Sequence, residues 1–212
     1  MQKRNKGSIF VVSAPSGAGK TTLCEKILAS MGNIRPSVSF TTRMPRKGEV
    51  HDRDYTFVGE SEFRKMIDKG EFAEWAVVHG NLYGTSGKRL REIMDSGDDV
   101  LLDIDVQGAR QIRESFASGV FVFVLPPSME VLRKRLERRK SNTAEDIERR
   151  MRRAVDEIRD FTQYEYVIVN DVLKDSVKKL GAVIAADRLR TRRTDPDWVK
   201  EKFFGSGGKK WM

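Results

Sequence analysis

Ala14-Pro15-Ser16-Gly17-Ala18-Gly19-Lys20-Thr21 stands directly after the apolar run Ile9 to Val12 and directly before a helical pattern, Thr21 to Ser30, that carries Leu23, Ile27 and Leu28 on one face. A buried strand, a glycine-rich turn and a helix N-terminus in that order make a phosphate cradle, because successive backbone N–H groups turn inward where the helix dipole favours an anion. Gly17 and Gly19 supply the backbone angles and the close approach that such a turn needs. In this pattern Lys20 reaches the β- and γ-phosphates of a nucleotide, and the Thr21 hydroxyl binds Mg²⁺. The pattern has glycine at its first position, where this chain has Ala14; the rest of the loop and its context are intact.

Working outward, apolar runs of strand length recur at Val100 to Ile104, Val120 to Leu125 and Tyr166 to Val169, and Pro36-Ser37-Val38-Ser39-Phe40 is a candidate fifth strand. Continuous apolar runs imply strands covered on both faces, hence a parallel sheet flanked by helices. Helical patterns alternate with them, including Ser86 to Ser96 with Leu90, Ile93 and Met94. The expected fold is therefore α/β, a doubly wound parallel sheet of the P-loop NTPase type. Two stretches interrupt the alternation. Residues 41–85 carry Gly48, Gly59, Gly70 and Gly80, short extended pieces such as Tyr55-Thr56-Phe57-Val58, and one small helical segment, Ser61 to Lys69, which together predict an inserted subdomain. The other is a basic segment in which Thr143 and Asp146 have the spacing of a capping box, opening a helix with Ile147, Met151, Ala154, Val155, Ile158 and Phe161 on one stripe. The stretch after Thr194, with Gly205, Gly207 and Gly208, is expected to be loosely ordered.

A chain of 212 residues that is 39% hydrophobic and 33% charged fits a soluble globular protein and excludes a disordered or membrane-spanning one. The longest apolar run is too short to cross a bilayer, and the basic start leads into only four apolar residues, so no secretory signal is expected and the cytoplasm is the simplest location. One cysteine, Cys24, excludes an intrachain disulfide and a thiolate zinc site. The formal charge of +9 calls for an anionic partner, either nucleic acid or a small phosphorylated ligand. Ten of the basic residues fall between Arg133 and Arg153, and Arg188, Arg190, Arg192 and Arg193 form a second cluster. Neither stretch interleaves aromatic residues with the basic ones, as a stacking surface for single strands would.

Val100-Leu101-Leu102-Asp103-Ile104-Asp105 places acids at the carboxyl end of a parallel strand, beside the phosphate loop, where a carboxylate holds Mg²⁺ directly or through a bound water. Asp103 and Asp105 are two residues apart and are expected to point to the same side. Further motifs are Ser39-Phe40-Thr41-Thr42-Arg43-Met44-Pro45-Arg46 with Gly48-Glu49, Asp54-Tyr55-Thr56-Phe57-Val58, Glu74-Trp75, Gly80-Asn81-Leu82-Tyr83-Gly84-Thr85, and Asp103-Ile104-Asp105-Val106-Gln107-Gly108. Together with the loop, these motifs resemble the guanylate kinase family, from the phosphate loop to at least Asn170.

The resemblance implies that Arg43, Arg46, Tyr55 and Tyr83 hold the phosphate of GMP and that Ser39, Glu74, Thr85 and Asp105 read the guanine edge. Arginine forks and phenol hydroxyls are good donors to phosphate oxygens. A buried carboxylate accepts from guanine N1–H and N2–H₂, and adenine would leave it unpaired. The basic segment resembles the family's lid over ATP, which places Arg139 and Arg150 on the phosphates, with Arg135 as a further candidate; Asn170 falls near the adenine. The implied ATP site is Ala14, Pro15, Ser16, Gly17, Ala18, Gly19, Lys20, Thr21, Thr22 and Asn170. The implied catalytic set is Lys20, Arg43, Arg139 and Arg150, with Thr21 and Asp103 toward Mg²⁺ as cofactor.

The expected organisation is one domain over 1–212, with core segments 7–40, 86–127 and 162–190, a GMP-binding insertion at 41–85, a lid at 128–161 and a tail at 194–212. The expected reaction is ATP plus GMP giving ADP plus GDP, with dGMP as a further acceptor, in purine nucleotide metabolism. Partners are then the small molecules ATP and GMP, not nucleic acid or membrane, with the helical stretch near Val183 to Leu189 a candidate subunit contact. The alternatives are a non-catalytic guanylate-kinase-like module that binds proteins, a kinase of the same fold with another phosphorylated acceptor, and a nucleic-acid-binding protein.

Overall fold

Alternate residues of a buried strand face opposite sides of its sheet, so a run of apolar residues must be matched by two cores. The computed structural model, which describes residues 6–78, 80–138 and 143–205, has this arrangement. In chain order the elements are β1 (Ile9–Ser13), α1 (Lys20–Ser30), β2 (Ile34–Pro36), β3 (Phe40–Thr41), β4 (Thr56–Phe57), α2 (Glu60–Asp68), β5 (Phe72–Val78), β6 (Asn81–Ser86) and α3 (Gly87–Asp95). There follow β7 (Asp99–Asp103), α4 (Val106–Ser115), β8 (Val120–Leu125), α5 (Met129–Glu137), α6 (Ala144–Arg159), β9 (Tyr166–Val169), α7 (Leu173–Arg188) and α8 (Pro196–Phe204).

Five strands form a parallel sheet in the order β2-β7-β1-β8-β9. Phe10, Val12, Val122 and Val124 pack on one face against Leu23 and Ile27 of α1 and Leu180 and Ile184 of α7. Ile9, Val11, Val100 and Phe121 pack on the other against Leu90 of α3 and Ala109 and Ile112 of α4. Burial of each such Leu, Ile or Phe contributes roughly 1.5–3 kcal/mol, and it is this that holds helices to both faces. The chain builds β2 and β7 on one side of β1, then crosses to build β8 and β9 on the other. The loop between β1 and α1 lies at that reversal, where doubly wound sheets bind ligands.

The fifth strand differs from the expected Pro36–Phe40. Ile34, Arg35 and Pro36 pair with Asp99, Val100 and Leu101 at the sheet edge, the position a proline tolerates, while Phe40 and Thr41 join a second sheet. That sheet has the order β4-β3-β6-β5 and is mixed, with β3–β4 parallel and β3–β6 and β5–β6 antiparallel. Phe40, Phe63 of α2 and Leu82 form its own small core.

Helices α5 and α6 pack Leu132 and Leu136 against Met151 and Ala154. The expected capping box is present: Asp146 N–H donates to Thr143 Oγ1 at 3.2 Å, and Thr143 N–H donates to Asp146 Oδ2 at 3.4 Å. The expected apolar stripe is rotated, because the buried face follows three-residue steps through Met151, Ala154 and Glu157, leaving Val155 and Phe161 exposed. Beyond Thr194 the expectation of loose order is corrected for residues 196–204. Asp195 accepts from the N–H groups of Asp197 and Trp198, and Pro196 opens α8, the two devices that start a helix. Residues 206–212 lie outside the described residues.

Candidate active site

The loop from Ala14 to Gly19 leaves β1 and ends in α1 with no side chain capping the helix and no acid in its first turn. First-turn N–H groups of such a helix need acceptors, and an anion supplies them. Gly17 and Gly19 have φ of 98° and 94°, in the left-handed region that glycine adopts without strain. A Cβ at Gly17 would lie 2.9 Å from Leu136 of α5, and one at Gly19 would lie 2.5 Å from Asn170 Nδ2. The loop is thus held between α5 and the segment after β9.

One cleft is lined by Ala14, Pro15, Ser16, Gly17 and Gly19 of the loop, by Lys20, Thr21 and Thr22 at the start of α1, and by Asp105, Arg150, Arg153 and Glu157. The buried Nε of Arg150 has no hydrogen-bond partner among the described residues, a condition an anion in the cleft relieves. Glu157 accepts from the Ser16 N–H and pairs with Arg153 Nε at 3.1 Å, and burial pushes its carboxyl above the usual range. Arg153 also approaches Asp105 at 4.0 Å. Arg139, expected beside Arg150, lies outside the described residues. Ala18 and Asn170 do not line this cleft. The Asn170 side chain instead donates to the Ala18 carbonyl, as does Arg135 Nη1 at 3.0 Å, and Arg135 Nη2 donates to the Asn170 carbonyl at 2.9 Å.

A second cleft, of about 400 Å³, is within the range of small-molecule sites. Its walls include Lys20, Thr21, Ser39, Tyr55, Glu74, Tyr83, Asp103 and Asp105. Glu74 is 5% exposed and accepts from Thr85 Oγ1 at 2.5 Å; Ser39 Oγ lies 3.4 Å from the same Thr85 oxygen. Burial, then the hydrogen bond from Thr85 acting against it, leaves the Glu74 carboxyl pushed up to about 7. Burial also raises Tyr55. Arg43 Nε donates to Tyr83 Oη at 3.2 Å, and its Nη2 donates to both oxygens of Glu49 at 2.8 and 3.0 Å. Glu49 thereby raises Arg43 further. Lys20 is ion-paired with Asp103 and donates to the Ile104 carbonyl at 2.8 Å.

The structure thus sets Ser39, Tyr55, Glu74, Tyr83 and Asp105 on the walls of one cleft, with Lys20 and Thr21 on the wall it shares with the first; Arg43 and Thr85 do not line it and reach it through their hydrogen bonds to Tyr83 and Glu74. Arg46 lies exposed in its loop, where its N–H donates to the Glu49 carboxylate at 2.7 Å and its carbonyl accepts from the Glu49 N–H at 3.1 Å. Asp105 departs from the expected strand position: β7 ends at Asp103, and Asp105 caps α4 by accepting from the Gly108 N–H at 3.0 Å. Asp105 nevertheless borders both clefts. Sequence reasoning missed Glu49, Arg153 and Glu157. The signal for Glu157 was a carboxylate three residues beyond Ala154 on the buried side of α6.

A sequence model of the family described as guanylate kinase matches residues 6–187. The guanylate kinase of Geobacter metallireducens is 52% identical over 200 residues, which cover 94% of this chain and 98% of that one. The guanylate kinase of Geobacter sulfurreducens is 53% identical with the same coverage. Among solved structures, guanylate kinase from Anaplasma phagocytophilum superposes with a TM-score of 0.78 at 36% identity, covering 98% of this chain and 100% of that one. With a phosphate loop at the sheet's reversal, a buried carboxylate in the neighbouring cleft and this likeness along nearly its whole length, the chain belongs to the guanylate kinase family.

Proposed function

We propose that this protein transfers the γ-phosphoryl group of ATP to GMP, yielding ADP and GDP, with dGMP as a further acceptor. The observation that carries the reading is that the two clefts share Lys20, Thr21, Val78 and Asp105 as a common wall. A donor in one and an acceptor in the other would meet there, and direct transfer needs that juxtaposition.

An oxygen of the GMP phosphate attacks the γ-phosphorus as the bond to the ADP oxygen breaks, so no side chain is required as nucleophile. Lys20 would leave Asp103 for the β- and γ-phosphates. Arg150, with Arg139, would neutralise charge that spreads over the transferred group. Arg43 would exchange Glu49 for the GMP phosphate, beside Tyr55 and Tyr83, with Arg46 moving in from its loop. Glu74, with Ser39, Thr85 and Asp105, would read the guanine edge. Thr21 and Asp103 are hard oxygen donors on one wall, the chemistry that suits Mg²⁺, which keeps most of its own waters. When bound, Mg²⁺ supplies charge neutralisation to the phosphates. Closure of the second sheet and of α5–α6 over the substrates would exclude water. No helix among the described residues is long and apolar enough to cross a membrane, and we place the protein with its nucleotide substrates in the cytoplasm.

A non-catalytic protein-binding module has no need of Lys20 and Thr21 on a wall common to two clefts, so that reading is not favoured. The test is ADP formation from ATP and Mg²⁺ with GMP, AMP, CMP and UMP offered in turn. Turnover with GMP alone is expected; equal turnover with AMP, or none with any monophosphate, would reject the assignment.

A further inference from the structure

Glu74 lies on β5, the edge strand of the second sheet, next to a break in the β5–β6 register between Phe72 and Glu74. An edge strand carries a row of backbone groups without a ladder partner, and a register break re-aims the side chain beside it. Gln111 of α4 supplies the missing partner. Trp75 N–H donates to Gln111 Oε1 at 3.0 Å, and Gln111 Nε2 donates to the Trp75 carbonyl at 2.8 Å. This reciprocal pair imitates one rung of a ladder, on the residue directly after Glu74.

One turn earlier on α4, Gly108 faces the carboxylate itself: a Cβ there would lie 2.7 Å from Glu74 Oε2 and 3.2 Å from its Cδ. Its N–H is engaged by Asp105, three residues before it. Asp105, Gly108 and Gln111 recur every three residues, so they share one face of the helix.

We propose that this face of α4 is the seat of the base-reading carboxylate, with Gly108 leaving room for Glu74 and Gln111 fixing the strand that carries it. Both are positioning residues that set base specificity through Glu74, and the proposal rests on the reading of Glu74 as the guanine contact. A carboxylate that accepts from N1–H and N2–H₂ together must be held in one orientation. IMP, which lacks the N2 amine, reports on that orientation.

The experiment is calorimetric titration of GMP, IMP, AMP and ATP into the wild type, Gln111→Met and Gly108→Ala. Gln111→Met keeps the side-chain length and removes both hydrogen bonds. Gly108→Ala improves helix propensity and pushes on Glu74. Both variants are expected to bind GMP about tenfold more weakly, with the preference for GMP over IMP shrinking, ATP affinity unchanged and melting temperature no lower for Gly108→Ala. Variants that keep the wild-type GMP affinity and GMP-to-IMP ratio overturn the proposal, as do variants that lose GMP and ATP equally. A wild type that binds GMP no better than AMP overturns the reading of Glu74, and the seat with it.

Discussion

Asn170 Nδ2 donates to the carbonyl oxygen of Ala18 at 2.8 Å, joining the residue after β9 to the phosphate loop across 152 positions of the chain. The bond is buried, and Arg135 shares the same acceptor. Asn170 therefore holds the loop's shape from behind, packed so closely that Gly19 has no room for a side chain.

Replacing Asn170 by Ala removes a buried donor while Arg135 still satisfies the carbonyl, so the expected loss of stability is about 1 kcal/mol. Urea unfolding checks that figure. Initial rates should show a severalfold rise in KM for ATP with KM for GMP unchanged; an equal rise in both would mean that the contact serves the fold and not the loop.

The carboxyl of Glu74 ordinarily titrates at 4.5 and is raised to about 7, chiefly by burial. The nucleotide-free folded protein thus holds this proton more readily than the unfolded chain. Its contribution to stability is full below 4.5 and is lost as pH rises through 7. Guanine binding has the opposite sense, because only the carboxylate accepts from N1–H and N2–H₂. Apparent GMP affinity is expected to be about tenfold weaker at pH 6 than at pH 8. The GMP phosphate also titrates near 6, so Glu74→Gln is the comparison that isolates the side chain. It should bind GMP weakly with a flatter profile, and a profile as steep as wild type would remove Glu74 from the site.

Asp99 is fully buried with Arg193 Nη2 at 2.6 Å and Arg188 Nε at 2.7 Å, and Arg193 also reaches Asp187 at 2.8 Å. Removing one member of a buried pair leaves an uncompensated charge, which costs about 3–5 kcal/mol. Arg193→Ala should therefore lower the melting temperature by several degrees while KM for ATP and GMP stays near wild type. A specific loss of nucleotide binding without loss of stability would contradict this structural role.

That cluster also marks where the sequence was silent. Arg188, Arg190, Arg192 and Arg193 read as a basic surface for an anionic partner, yet all four turn onto Asp99 or Asp187, the first remote in sequence and the second three to six residues before the arginines it pairs with. Buried strands and the phosphate loop were legible because their signal is local: a run of apolar residues, two glycines, a lysine and a threonine. The strand at Pro36–Phe40 was misread because one apolar stretch serves two sheets, a division made by tertiary pairing alone. Asp105 was misread because the strand ends two residues earlier than its acids suggest. Glu157 passed unnoticed because its meaning depends on the Ser16 N–H opposite.

The central claim is that the phosphoryl group passes directly from ATP to GMP where the two clefts meet at Lys20. The most direct test is a matrix of initial rates of ADP formation with ATP and GMP both varied. Intersecting reciprocal plots, with turnover reduced at least a thousandfold (on the order of 4 kcal/mol in the barrier) by Lys20→Ala, are predicted. Parallel plots, which signal a covalent phospho-enzyme, or ADP formation that proceeds equally without GMP, would contradict the account.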